Sequence, residues 1–79
     1  MTSTEENNYR LEYATEDVNY AAENGRLAIC ETNKGLIEIE ALGKKYFQVW
    51  NNKGELLTGI MPKYNMIKYI AKVYVFETK

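Results

Sequence analysis

Turn signals recur along this chain at nearly regular spacing, and they limit what it can fold into. They read "ENG" at 23–25, "TNKG" at 32–35, "LGKK" at 42–45 and "NNKG" at 51–54. Asn and Gly tolerate positive φ, so such positions favour tight connections. The runs between them, "RLAICET", "LIEIEAL", "KYFQVWN" and "ELLTGIM", have strand-like composition. Short strands with turns every 8–12 residues or so argue for antiparallel β-structure. The reading is a four-stranded meander with strands near 26–32, 36–42, 45–51 and 55–61. "TNKG" and "NNKG" each place Asn-Lys-Gly before an apolar run, a recurring turn solution rather than a repeat fold, for which two copies are too few.

The flanks are less regular. "MTSTEENN" is polar and reads as a loose arm over 1–8. "YRLEY" at 9–13 alternates and suits an extra strand. In "TEDVNYAAENG", Thr15 fits a helix N-cap and Gly25 a C-cap, with acids in the first turn. Val18, Tyr20 and Ala22 also alternate. A short helix at 15–23 is preferred to a strand. Pro62 ends the strand before it. After it, Met66, Ile67, Ile70 and Val73 recur at helical spacing with Lys68 and Lys72 opposite, an amphipathic helix over about 63–73. "KVYVFET" is β-branched and aromatic and suits a strand better, so either the helix continues through 73–78 or it stops near Ala71 and a final strand follows. The expected class is therefore α+β: a small antiparallel meander with a C-terminal helix on one face, and a single globular domain over 9–79. At 79 residues the core is small, with only about 60% of the unfolded surface buried on folding.

"LIEIEAL" sets the polarity of the sheet. Ile37, Ile39 and Ala41 point one way, Glu38 and Glu40 the other, and unpaired charges do not sit in a core. In the next strand, Phe47 and Val49 are wholly apolar and belong inside. Tyr46, Gln48 and Trp50 then share the outer face with Glu38 and Glu40, and Lys44, Lys45 and Lys53 lie at its ends. These eight residues are the candidate binding site. Tyr and Trp are suited to it because they bury large area at low entropy cost. Three fates compete for this face. The N-terminal segment could fold over it, packing Tyr9, Tyr13 or Tyr20 on Trp50; it could stay open and bind; or it could close a homodimer.

Composition excludes much chemistry. The chain has no His and one Cys, so Ser-His-Asp and Cys-His catalysis, His metal sites and thiolate zinc sites are all out. Glutamate pairs remain formally able to do acid–base work, but a chain this short makes a poor substrate cleft. No cofactor and no enzymatic activity are expected. Cys30, in "LAICET", reads as a small core or half-buried residue, and a lone Cys agrees with a reducing compartment. No apolar run approaches the roughly 18 residues that span a bilayer, and the acidic, polar start is unlike a signal peptide, so the expected place is the cytoplasm with no membrane partner.

Charge is unevenly placed. Residues 1–40 hold nine acids and three bases, and residues 41–79 hold two acids and seven bases. Such asymmetry marks a binding surface or two halves that pair in one sheet. The favoured function is a non-enzymatic module that docks on a protein. The alternative is single-stranded nucleic-acid binding, with bases stacked on Tyr46 and Trp50 and phosphates held by Lys44, Lys45 and Lys53. A net charge of −1 with two Arg argues against the latter. A subunit that folds only as an oligomer is a third reading. Small size, an α+β pattern and an Asn-, Lys- and Tyr-rich composition are in the style of phage and mobile-element accessory proteins, anti-CRISPR inhibitors of host defence among them. No motif carries that likeness.

Overall fold

The structure, a computed structural model, describes residues 3–74, with side chains from Asn8 onward. The order is α1 (Ser3–Asn24), β1 (Arg26–Ile29), β2 (Ile37–Leu42), β3 (Tyr46–Asn51), β4 (Met61–Pro62) and α2 (Lys63–Val73). The four strands form one antiparallel sheet in the order β1-β2-β3-β4. This is the expected α+β meander, and α2 has the bounds that its periodicity predicts.

Helix α1 is longer than expected. It takes in the 1–8 stretch from Ser3 onward, where the composition predicts a loose arm, and all of "YRLEY", where alternation suits a strand. Among the residues whose side chains are described, its buried positions are Ala14, Val18 and Ala21, a helical stripe made mostly of methyl groups. Thr15 does not cap the helix. It lies mid-helix, and its hydroxyl donates to the Leu11 carbonyl at 2.7 Å. The C-terminal reading holds: Gly25 has φ +94°, and its N–H bonds the Ala21 carbonyl at 2.7 Å, closing the helix as a left-handed residue does.

Both helices pack against each other and on the same side of the sheet, α1 over β1 and β2, α2 over β3 and β4. Between them, Ile37, Ile39, Phe47, Val49, Met66 and Ile70 are fully buried in one cluster with Val18. Each such side chain contributes about 1.5–3 kcal/mol of hydrophobic stabilisation. The small residues of α1 let it come close enough to reach both the sheet and α2. Arg10 fastens the pair, its Nη1 donating to the carbonyls of Ala71 at 3.1 Å and Tyr74 at 2.7 Å, at the C-terminal end of α2.

The fourth strand is shorter than the predicted 55–61. Only Met61 and Pro62 pair regularly, with Phe47 and Tyr46. Before them, Leu56 makes a single bridge to Trp50. The N–H groups of Leu57 and Thr58 both point to the Val49 carbonyl, while the Val49 N–H donates to the Thr58 hydroxyl at 3.2 Å. A side chain thus substitutes for the ladder at this edge. The two Asn-Lys-Gly turns do share one solution. In each, an oxygen of the first residue accepts the N–H two positions on, Thr32 from Lys34 and Asn51 from Lys53.

Cys30 is exposed rather than buried, because it follows the edge strand β1 on the side opposite Ile29. At the end of α2, Tyr74 makes an antiparallel bridge to Thr32. Helix α2 runs to Val73, and the rest of 73–78, read from sequence as either more helix or a strand, lies outside the described residues. Among the described residues, no helix is long and apolar enough to cross a membrane.

Candidate functional site: the open face of the sheet

With both helices on one side, the other side of the sheet carries no covering element among the described residues. The N-terminal segment does not fold over Trp50: it forms α1, on the opposite side. The register assembles the outer face in three rows. One row is Arg26, Glu40 and Gln48; the next is Ala28, Glu38 and Trp50; the third is Leu42, Tyr46 and Pro62. The sequence expectation for Tyr46, Gln48 and Trp50 beside Glu38 and Glu40 therefore matches the placement, with Phe47 and Val49 buried behind them.

The centre of the face is an ordered polar network. Trp50 stands opposite Glu38, so Glu40 is its diagonal neighbour, within reach of a long aromatic side chain. The Glu40 Oε1 accepts from the Trp50 indole Nε1 at 2.8 Å and from the Gln48 Nε2 at 2.8 Å. Its other oxygen lies 3.9 Å from Arg26, which is also 3.8 Å from Glu38. The Gln48 and then the Trp50 hydrogen bonds, with help from the Arg26 charge, hold the Glu40 carboxyl below its ordinary pKa; burial opposes them weakly. The Arg26 side chain is 62% exposed, so its ion pairs orient the carboxylates more than they stabilise the fold.

Around this network the face is apolar and wet by turns. Tyr46 is 52% exposed, and Leu42, beside it on the neighbouring strand, is exposed too. Leu36 and Leu56 are exposed at the other end, near Trp50. Arg26, Glu38, Glu40 and Trp50 line a shallow, open dish floored in part by Ala28. Lys44 and Lys45 are exposed in the β2–β3 turn at the Tyr46 end, and Lys53 in the turn after β3 at the Trp50 end. Five of the eight predicted residues, Glu38, Glu40, Tyr46, Gln48 and Trp50, thus share one face but not one pocket: Tyr46 stands apart from the Glu40 network, and the three lysines lie in the turns at the two ends.

Arg26, Leu42, Leu36 and Leu56 belong to this surface and were not foreseen. For Leu42 the signal was present, since it continues the alternation of Glu38 and Glu40. For Arg26 it required knowing the β1–β2 register. Leu56 sits in the irregular approach to β4, where alternation gives no guide. Among the described residues no cluster of three His, Cys, Asp or Glu side chains is placed to hold a metal ion. Compared with known proteins, the chain matches no family model, no curated protein and no solved structure.

Proposed function

We propose that this chain is a non-enzymatic module that docks on a protein partner through the open face of its sheet. The observation that carries the reading is the Trp50–Glu40–Gln48 network on a face that no described element covers. It holds a large aromatic and one carboxylate in fixed positions before any partner arrives. Pre-ordered side chains lose less entropy on association, which is how a small rigid surface reaches useful affinity. Tyr46 and Leu42 supply an exposed apolar anchor beside it. The complementary surface presents basic groups to Glu38 and Glu40 and an apolar recess to Tyr46.

A domain of this size works by covering what it binds. Inhibition of a larger enzyme by occlusion, of the kind phage and mobile-element proteins use against host defence, is the form of docking that its size and composition favour. Nucleic-acid binding draws support from Lys44 and Lys45 next to Tyr46. It is the weaker reading, because Glu38 and Glu40 sit at the centre of the face and would repel phosphates.

Affinity capture by the tagged protein, from a lysate of its own cells with and without nuclease, separates the two. The docking reading expects a discrete protein in unchanged yield after nuclease. Recovery that vanishes with nuclease overturns it in favour of nucleic-acid binding.

A further inference from the structure

The outer surface of the helical layer is divided by charge. On α1, Ala14, Val18 and Ala21 face the core. At about 100° per residue, Glu12, Glu16 and Glu23 then lie on the crest turned away from the sheet, and all three are exposed. On α2, Met66, Ile70 and Val73 face the core, and the exposed Lys68 and Lys72 stand on its crest. Among the described residues, none of Glu12, Glu16, Lys68 and Lys72 forms an ion pair within its own chain. One helix therefore turns carboxylates outward and its neighbour turns ammonium groups outward, and neither set is neutralised by the other.

The two helices run antiparallel. Arg10, in the first half of α1, bonds the carbonyls of Ala71 and Tyr74 at the end of α2. The other ends meet at one end of the sheet. There α1 leads through Gly25 into Arg26, opposite Glu40, and α2 follows Pro62, opposite Tyr46. Leu11, 39% exposed, shares a groove between the helices with Lys68, Ala71 and Lys72. Glu12, next in sequence, and Glu16, one turn on, thus stand level with the two lysines.

We propose that the helical layer is a dimer interface whose occupant is the same layer of a second copy. Two twofold axes can lay one such layer on another. An axis across the helices sets α1 on α1 and α2 on α2, like charge on like. An axis along them sets α1 of each copy on α2 of the other, so that Glu12 and Glu16 meet Lys68 and Lys72 twice over. Charge selects the second arrangement. Exposed ion pairs each contribute little, and Leu11 with the half-buried Ile67 supplies apolar area at the seam on the axis. Both sheet faces then point outward, on opposite sides of the dimer. The dimer does not depend on the docking reading. On that reading it offers the docking face twice, which strengthens binding to a repeated or dimeric partner.

Sedimentation of the full chain at several concentrations, with no partner present, tests it. The expected result is a reversible dimer whose dissociation constant rises about tenfold or more between low salt and about 0.5 M salt. Two charge-reversed variants, each first shown by circular dichroism to be folded, locate the surface: Glu12→Lys with Glu16→Lys, and Lys68→Glu with Lys72→Glu. Each alone should be monomeric. An equimolar mixture should dimerise again, because every α1 then meets the opposite charge on α2. Gln at the same positions, a milder change to the fold, should weaken the dimer about tenfold. Tyr46→Ala, on the sheet face, should dimerise as the wild type does. A wild-type chain that stays monomeric up to about 1 mM overturns the proposal. So does a reversed variant that dimerises like the wild type, a mixture that stays monomeric, or a dimer lost in Tyr46→Ala, which would put the contact on the sheet.

Discussion

The indole N–H of Trp50 and the side-chain amide of Gln48 converge on one oxygen of Glu40, each at 2.8 Å. The three residues lie on the side of the sheet away from both helices, so this arrangement supports no core packing. What it does is hold the Trp50 ring in one orientation on a surface. Glu40→Ala removes the shared acceptor. Hydrogen bonds to a charged group at a partly exposed site support a loss of about 1–2 kcal/mol. Denaturant unfolding followed by the single tryptophan's fluorescence measures both consequences, the lower midpoint and a native-state emission altered from wild type.

The same network makes stability depend on acid. The Glu40 carboxyl is held below its ordinary value of 4.5, first by Gln48, then by Trp50. A depressed folded-state pKa contributes stability that is fully present above the unfolded value and is lost as pH falls through the folded one. Melting temperatures measured from pH 6 down to pH 3 should therefore fall more steeply for the wild type than for Glu40→Gln, with the two curves converging at the acid end. Parallel curves would show that the carboxylate is not engaged as described.

Neighbouring residues on β3 should respond in opposite ways. Phe47 is fully buried, and Phe47→Ala should lower stability by about 3–5 kcal/mol, most or all of what a chain this small possesses. Tyr46, one position earlier and 52% exposed, should change stability by no more than about 0.5 kcal/mol when replaced by Ala. Thermal unfolding of the two variants checks this directly.

Arg10 ties the helices together. Its guanidinium meets the Ala71 and Tyr74 carbonyls where the negative end of the α2 dipole lies. Arg10→Ala should lower stability by about 1–2 kcal/mol and speed exchange in the last turn of α2. Arg10→Lys should restore only part of this, since an ammonium does not reproduce the planar fork of the guanidinium.

How legible this was in the sequence differs from element to element. The alternation in "LIEIEAL" and the contrast of Phe47 and Val49 with Tyr46 and Trp50 sufficed to face β2 and β3, and large aliphatic residues at helical spacing sufficed for α2. Helix α1 was obscured because its buried stripe is built from Ala14, Val18 and Ala21. Alanine is a weak hydrophobic signal, while Val18, Tyr20 and Ala22 alternate by chance. The fourth strand was over-read because Leu56 and Leu57 look like a strand, whereas Thr58 satisfies the edge of β3 with its hydroxyl. Cys30 was misplaced because composition alone does not reveal that its strand lies at an edge. At the candidate site the residues were legible, but their grouping was not. The Glu40–Trp50 contact is a diagonal one, which appears only once the register is known.

The central claim is that partners meet the open sheet face. Two exposed tyrosines on different elements give the most direct test: Tyr46 on the sheet face, and Tyr64 on α2, 70% exposed with the Lys68 ammonium 5.2 Å from its ring. The measurement is the affinity for the captured partner of wild type, Tyr46→Ala and Tyr64→Ala, each first shown to be folded. The docking reading predicts that Tyr46→Ala weakens binding by about tenfold or more, near 1.4 kcal/mol, while Tyr64→Ala leaves it unchanged. Full binding by Tyr46→Ala together with loss in Tyr64→Ala would contradict it and move the interface to α2.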